Sequence, residues 1–292
     1  MIIRSTTKMR KLLAEKKLIV AAGAHDALSA KIMEHAGFEV IFLSGFGFEA
    51  SLLGKPDAGL LTMSEIVTHA KNITAAVNIP TLADAEAGYG GNVNIKRTIE
   101  EFERAGVAGV FIEDQAHPVM CGSLKKYKRI VTQEEMLIKL QVALDARTDP
   151  DFIICARTDA DIVSLDEQIR RANAYAKAGA DMVTCLPQSK EDFRAVIQNV
   201  KAPLWMYLSQ QTAEIDPKEL EEMGMRGLII YPVEPLFAAT RAMMDMLEEL
   251  RATGMCAHYF SKTKPMDYRE FFNFIGLNDI VAFDQKYMAK KG

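Results

Sequence analysis

The sequence predicts a (β/α)8 TIM barrel with extra helices at its C-terminal end. Three observations carry that prediction. Eight short apolar runs alternate with longer amphipathic segments along the chain. Most runs are continuously apolar rather than alternating, as expected of parallel strands covered on both faces. The 292 residues, 49% of them hydrophobic, slightly exceed the ~250 typical of one such barrel.

Taken in order, the predicted strands are Leu18–Ala22, Val40–Ser44, Ile79–Asp84, Val107–Asp114, Phe152–Arg157, Met182–Leu186, Pro203–Tyr207 and Gly227–Tyr231. Helical patterns lie between or after them at Ser64–Val77, Ile95–Ala105, Gln133–Arg147, Asp166–Ala178 and Pro235–Arg251. Ala36-Gly37, Ala105-Gly106 and Ala178-Gly179 each close a helical pattern, since a glycine past the last turn readily takes the left-handed conformation. Eight strand–helix units point to a closed barrel, and no GxGxxG follows the first strand to suggest an open dinucleotide-binding sheet. Residues 256–292 carry helical patterns near Asp267–Ile275 and Asp279–Met288. That tail is too short for an independent core, so residues 1–292 read as one domain with a C-terminal helical extension.

Composition excludes several function classes. A net charge of −4 argues against a nucleic-acid partner. The local basic run Lys125, Lys126, Lys128 and Arg129 is either a solvated loop or a substrate-facing patch. No stretch approaches the ~20 apolar residues that span a membrane. The amphipathic segment Met1–Leu13 has no uninterrupted apolar core and does not read as a secretory signal. Cys121, Cys155, Cys185 and Cys256 are widely spaced, which suggests reduced thiols in a cytoplasmic protein. Cys155 and Cys256 read as core and Cys185 as ambiguous, while the 16 methionines read as packing.

In such barrels chemistry gathers at the C-terminal ends of the strands. Here those ends are polar: Ser44-Gly45-Phe46-Gly47, Asp84-Ala85-Glu86, Glu113-Asp114 and Arg157-Thr158-Asp159. Carboxylates from three strands at one rim cost too much desolvation to be filler unless a cation neutralises them. An all-oxygen cluster suits a hard ion such as Mg²⁺, and a purely structural ion-pair network with Arg157 is the alternative. Residues two apart on a strand share a face, so Asp84 and Glu86 are expected to face the barrel mouth together. The segment Gln115–Tyr127 is a candidate lid, and its Cys121 a candidate proton donor.

These residues resemble a known family. Gly23-Ala24-His25-Asp26-Ala27-Leu28-Ser29-Ala30, Leu43-Ser44-Gly45, Pro56-Asp57, Asp84-Ala85-Glu86-Ala87-Gly88-Tyr89-Gly90, Ile112-Glu113-Asp114-Gln115 and Ala156-Arg157-Thr158-Asp159-Ala160 are similar to the isocitrate lyase/phosphoenolpyruvate mutase superfamily. They stand in the family's order over most of the chain to about Ala180. The likeness is greatest to methylisocitrate lyase and 2,3-dimethylmalate lyase. It implies that Asp84 ligates Mg²⁺ (or Mn²⁺), with Asp57, Glu86 and Glu113 holding its waters. It implies that Ser44 and the amides of Gly45 and Phe46 bind the keto-acid end of a small carboxylate substrate, and that Arg157 clamps substrate oxygens. Gly122 and Ser123 are carried over as substrate contacts, and Cys121 as the acid that protonates the carbanion product. A homotetramer, a dimer of dimers with the last barrel helix swapped between partners, is implied too.

The chain also departs from the family. Val119-Met120-Cys121-Gly122-Ser123 lacks the basic residues and the histidine of the lyase loop, and a neutral thiol is what a proton donor needs. Phe42 replaces a tyrosine, Glu86 an aspartate, Leu186-Pro187-Gln188 a glutamate-bearing segment, and Tyr207-Leu208-Ser209-Gln210 an Asn-x-Thr-Glu segment. The last two changes are expected to strip polar groups from the distal side and favour a smaller or less charged substrate. The expected activity is carbon–carbon cleavage of a substituted malate or related 2-hydroxy acid. An oxaloacetate decarboxylase or phosphonopyruvate hydrolase-like enzyme and a non-catalytic binding barrel are the alternatives.

Overall fold

The structure, a computed structural model, describes residues 3–288. Met1 and Ile2, at the start of the predicted amphipathic segment, lie outside the described residues. Among the described residues eight parallel strands close into a barrel in chain order. They are β1 (Leu18–Ala24), β2 (Ile41–Leu43), β3 (Thr81–Asp84), β4 (Gly109–Glu113), β5 (Ile153–Arg157), β6 (Met182–Thr184), β7 (Leu204–Tyr207) and β8 (Gly227–Tyr231). Every predicted strand is present, trimmed by a residue or two in most cases.

The helices follow in order: α1 (Ser5–Glu15), α2 (Ala27–His35), α3 (Gly45–Phe48), α4 (Met63–Thr74), α5 (Asn92–Arg104), α6 (Gln133–Ala146), α7 (Leu165–Lys177), α8 (Lys190–Asn199) and α9 (Pro217–Glu222). Beyond β8 come α10 (Glu234–Thr253), α11 (Ala257–Thr263), α12 (Tyr268–Phe274) and α13 (Leu277–Met288). Their starts are written locally. Thr62 and Thr132 each cap a helix reciprocally with a glutamate three residues on, Glu65 and Glu135. Gly37, Gly106 and Gly179 take positive φ at the helix ends, as their Ala-Gly pairs predict.

Two apolar layers hold the barrel. Inside the lumen lie Ile19, Phe42, Leu82, Phe111, Ile153, Cys155, Met182, Trp205, Leu228 and Ile230. Outside it, alternate strand residues such as Ile41, Val110, Ile154 and Ile229 pack against Ile66, Phe102, Leu140, Phe193 and other helix residues. Helix α1 joins the lumen layer through fully buried Met9, with Leu12 and Leu13 packed beside it. Its amphipathic pattern therefore reflects packing on the barrel. Cys155 and Cys185 are buried, whereas Cys256, expected in the core, is only half-buried.

The chain divides into two compact units, Met1–Leu236 and Phe237–Gly292. The first holds the whole barrel sheet and every predicted site residue. The second contains most of α10 and all of α11–α13, and none of these helices contributes a fully buried residue. No helix of the described residues is long and apolar enough to cross a membrane.

Several sheet positions admit no side chain, Gly23, Gly109 and Gly227 among them, and Gly227 carries backbone strain as well. Gly227 opens β8 at φ +121°, and a Cβ there would lie 2.1 Å from the carbonyl oxygen of Leu204 on β7. Backbone strain and steric overlap then act together, so Gly227→Ala is expected to destabilise the protein by about 3 kcal/mol or more. The urea midpoint measures this; an unchanged midpoint would contradict the tight β7–β8 approach.

Candidate active site

Strand alternation delivers the site. Phe42, Leu82, Phe111, Cys155 and Trp205 point into the lumen, so the residues two further along, Ser44, Asp84, Glu113, Arg157 and Tyr207, do so as well. Register sets Glu113 beside Arg157, and Arg157 beside Thr184. Beneath them Phe42, Phe111 and Trp205 form an aromatic floor, with both phenylalanine rings meeting Trp205 edge-on at 5.7 and 5.6 Å. The four predicted residues Ser44, Asp84, Glu113 and Arg157 thus stand at one end of the barrel.

The acids reach that end by different routes. Asp84 ends β3, but Glu86 lies beyond the strand with φ +51°, a left-handed conformation rare for a residue with a side chain. It joins Asp84 through this turn, and not through the strand alternation expected from the spacing. The Glu86 amide donates to Asp84 Oδ1 at 2.8 Å. A Cβ on Gly45 would meet Glu86 Oε1 at 2.7 Å and Asp84 Oδ2 at 3.0 Å, so a glycine is required where two carboxylates crowd the backbone.

Asp57 arrives on the loop after the π-helical turn Glu49–Leu53. Buried Glu49 shapes that loop by accepting backbone N–H groups from Ala58, Leu60 and Leu61. Glu49 was not singled out in the sequence. A charged residue directly after the apolar Gly45–Phe48 segment was the available signal.

Two groups expected to face substrate are engaged within the protein. Ser44 caps α3, its hydroxyl accepting from the Gly47 amide at 3.4 Å, and the Gly45 amide donates to Asp84. Phe46 lies within the same short helix.

Arg157 is 8% exposed and sits between two carboxylates. Asp159 takes its Nε at 2.8 Å and an Nη at 2.9 Å, and Glu113 lies 3.3 Å from the other Nη. The guanidinium is stacked 5.2 Å from the Phe111 ring centre. Behind this pair, Asp114 accepts from Thr158, Arg171, Tyr175 and the Asp159 amide, which fixes the β4 and β5 ends to α7.

The predicted lid is a loop closed at its base. Gln115 bridges Ile130, the Ala116 amide donates to Arg129 O, and the Val131 amide donates to Asp114 O. Two members of the basic run are held by protein groups. Lys128 is buried on Asp159 and Asp161, and Arg129 donates to the His117 carbonyl.

Higher in the loop, Cys121 donates its amide to Asp57 O, and its thiol lies 3.2 Å from the Ser123 hydroxyl and within hydrogen-bond reach of the Asp57 carboxyl. Gly122 presses on Arg157: a Cβ there would come within 2.9 Å of the guanidinium. Ser123 itself is exposed.

Tyr207 is turned into the lumen, and its hydroxyl is buried with no partner among the described residues. Glu113 Oε1 is likewise buried and unpaired.

Burial dominates the electrostatics. It pushes Asp84 up to about 7, with Arg157 and the amides of Glu86 and Gly45 acting in the opposite sense. Burial first, and neighbouring acids second, hold Glu86 well above the carboxylate range. Burial also raises Asp57 and, strongly, Glu113. Asp159 behaves oppositely: burial would raise it, but Arg157 and Lys128 outweigh burial and keep it low. The Cys121 thiol is pushed up by burial and by Asp57, so it stays protonated.

Among the described residues no three carboxylate, imidazole or thiol groups stand close enough to enclose an ion directly. Three under-neutralised acids around the lumen-facing carboxylate of Asp84 nevertheless fit a hard divalent cation that keeps most of its waters. Asp84 would touch it, with Asp57, Glu86 and Glu113 acting through water.

A carboxyl that titrates near 7 when folded and near ~3.9 when unfolded opposes folding once ionised, by up to roughly 4 kcal/mol. Its penalty is absent below the unfolded value and grows as pH rises toward the folded one. Metal-free protein is therefore expected to lose thermal stability between about pH 4 and pH 7, with Asp84→Asn losing less. Adding Mg²⁺ near pH 6.5 should restore stability and release protons. A melting temperature flat with pH and indifferent to Mg²⁺ would contradict this picture.

The family described as phosphoenolpyruvate phosphomutase matches residues 9–251. The chain is 37% identical over 289 residues to 2,3-dimethylmalate lyase of Eubacterium barkeri, covering 98% of this chain and 99% of that one. It is 37% identical over 249 residues to oxaloacetate decarboxylase of Ectopseudomonas mendocina, covering 85% and 84% of the two chains. The crystal structure of a phosphonopyruvate hydrolase complexed with oxalate and Mg²⁺ superposes with a TM-score of 0.88 at 27% identity, covering 98% of this chain and 100% of that one. The barrel, its rim of acids and these likenesses converge: the chain belongs to the phosphoenolpyruvate mutase/isocitrate lyase superfamily and is an enzyme acting on carbon–carbon bonds.

Proposed function

We propose that this enzyme is a Mg²⁺- or Mn²⁺-dependent carbon–carbon lyase. It cleaves a substituted malate, or a related 2-hydroxy di- or tricarboxylate, to a 2-keto acid and a second carboxylate. The observation that carries this reading is Cys121, a thiol kept protonated on a loop whose next residue, Gly122, rests on Arg157. In the cleavage the 2-hydroxyl gives its proton to solvent and becomes the keto oxygen as the C2–C3 bond breaks. The electron pair stays on C3, which takes a proton from Cys121; solvent then reprotonates the thiolate.

Arg157 holds substrate oxygens by charge-assisted hydrogen bonds, and the loop excludes water. Asp84 would hold a divalent cation directly, with Asp57, Glu86 and Glu113 acting through water, and when bound it would supply Lewis-acid polarisation of the substrate oxygens. Ser44, Gly45 and Phe46 form the wall at the keto-acid end, and Gly122 and Ser123 the wall beneath the loop.

A decarboxylase acting on an oxaloacetate-like acid is the second reading. Tyr207 favours it, because a ring in the lumen leaves less room at the distal side. The likeness to an oxaloacetate decarboxylase points the same way. A homotetramer with the C-terminal helices exchanged between subunits, and the 256–292 extension serving one catalytic domain, is part of the proposal. The exposed Phe237, Leu247, Phe271 and Phe283 support it, and light scattering tests it. Four free thiols support a cytoplasmic location.

The two activities separate on Cys121. A panel of 2-hydroxy diacids and oxaloacetate, assayed with Mg²⁺ for 2-keto-acid product, identifies the substrate. On that substrate Cys121→Ser is expected to lower kcat by about 10²–10⁴-fold with little change in KM, since a hydroxyl is a far weaker acid than a thiol. A loss under about tenfold would sink the lyase reading and favour decarboxylation, in which solvent protonates the product.

A further inference from the structure

The Lys128 side chain is completely shielded from solvent, which is costly for an ammonium group unless it is fully paired. Its Nζ lies 2.9 Å from Asp159 Oδ1 and 2.5 Å from Asp161 Oδ1. Lys125, half-exposed, adds a second and looser contact to Asp161 at 3.3 Å. Lys128 stands two residues before Ile130, whose bridge to Gln115 closes the loop. The Gln115 side chain reinforces that closure by exchanging hydrogen bonds with the Met120 backbone at 3.0 and 3.1 Å.

Arg157 is therefore touched by this loop twice. Its guanidinium meets Gly122 near the tip, and through Asp159 it is linked to Lys128 at the base. Charge points in the same direction. Between Glu113 and Asp159 the single positive charge of Arg157 is outnumbered. With Lys128 sharing Asp159, the exposed edge of the guanidinium keeps its attraction for an incoming carboxylate. Neither the metal acids nor Cys121 contacts Lys128, so the proposed chemistry leaves this buried ammonium unexplained.

We propose that Lys128 is a positioning residue that couples closure of the Gln115–Val131 loop to the orientation of Arg157, through the chain Lys128–Asp159–Arg157. Loop placement and substrate-carboxylate binding are then one linked event: disturbing either disturbs the other. The inference rests on Arg157 as the carboxylate clamp of the proposed function.

Hydrogen exchange over the loop and calorimetric binding of oxalate with Mg²⁺ test it in the full chain. Lys128→Met should speed exchange across the loop, leave the barrel strands protected, and weaken oxalate by about tenfold or more, as expected for loss of a charge-assisted hydrogen bond. Lys128→Arg should recover most of both. Asp161→Asn, which spares the Asp159 pair, should give smaller shifts of the same kind and keeps the test open if Lys128→Met does not fold.

Unchanged oxalate affinity in folded Lys128→Met, or exchange that accelerates in loop and barrel alike, overturns the proposal. So does an Asp161→Asn protein identical to wild type in both readouts. Wild-type protein that binds no oxalate would defeat the clamp and the lyase reading together. Loop exchange that persists in its response to Lys128→Met would then show only a base anchor, and the coupling to Arg157 would be rejected.

Discussion

The site is organised by one buried cation. Arg157 stands in the lumen between Glu113 and Asp159, above the Phe111 ring, at the level where β4, β5 and β6 are in register. An unpaired guanidinium there would be prohibitively costly, and so would the acids without it. The pairing is nevertheless incomplete, since Glu113 Oε1 lacks a partner among the described residues and Asp57, Asp84 and Glu86 are raised by burial. The protein folds around a charge imbalance that a divalent cation and a carboxylate ligand can jointly resolve. That imbalance converts burial energy into binding selectivity: a neutral ligand would leave it in place.

Barrel geometry makes such a cluster possible. The aromatic floor of Phe42, Phe111 and Trp205 seals the lumen and lowers the local dielectric under the rim. Loops then add what the strands cannot supply. Glu49 holds the loop bearing Asp57 by three backbone amides, and Asp114 collects Thr158, Arg171 and Tyr175 behind the Arg157 pair. Such supporting groups matter because electrostatic binding falls off steeply when its charges are misplaced.

The proposed chemistry turns on how the substrate's developing negative charge would be quenched. A neutral thiol beside Asp57 is a poor nucleophile but a usable acid, which agrees with proton donation and not with covalent catalysis. Loss of the basic residues around Cys121 is compatible with the proposed role, because burial and Asp57 outweigh the Ser123 hydrogen bonds that favour the thiolate. Tyr207 is the opposite kind of departure. Its lumen-facing ring, with a buried hydroxyl that has no partner among the described residues, would limit substrate size by bulk under the proposed function.

The sequence by itself determined the eight strands, their closed order and the rim position of Ser44, Asp84, Glu113 and Arg157. Those features follow from local periodicity: a strand's last lumen-facing position is fixed by counting in twos from its buried residues. It also marked the helix ends at Gly37, Gly106 and Gly179, where a positive φ is a local need. Tertiary structure alone decided the rest. Glu86 reaches Asp84 through a left-handed turn that no spacing rule describes. Lys128 is buried because Asp159 and Asp161, some thirty residues away, converge on it. Glu49 and Tyr207 acquire their importance from partners, or a missing partner, on other elements. Pairing of buried charges is a long-range energy summed over the folded chain, and a sequence reports charges only one at a time.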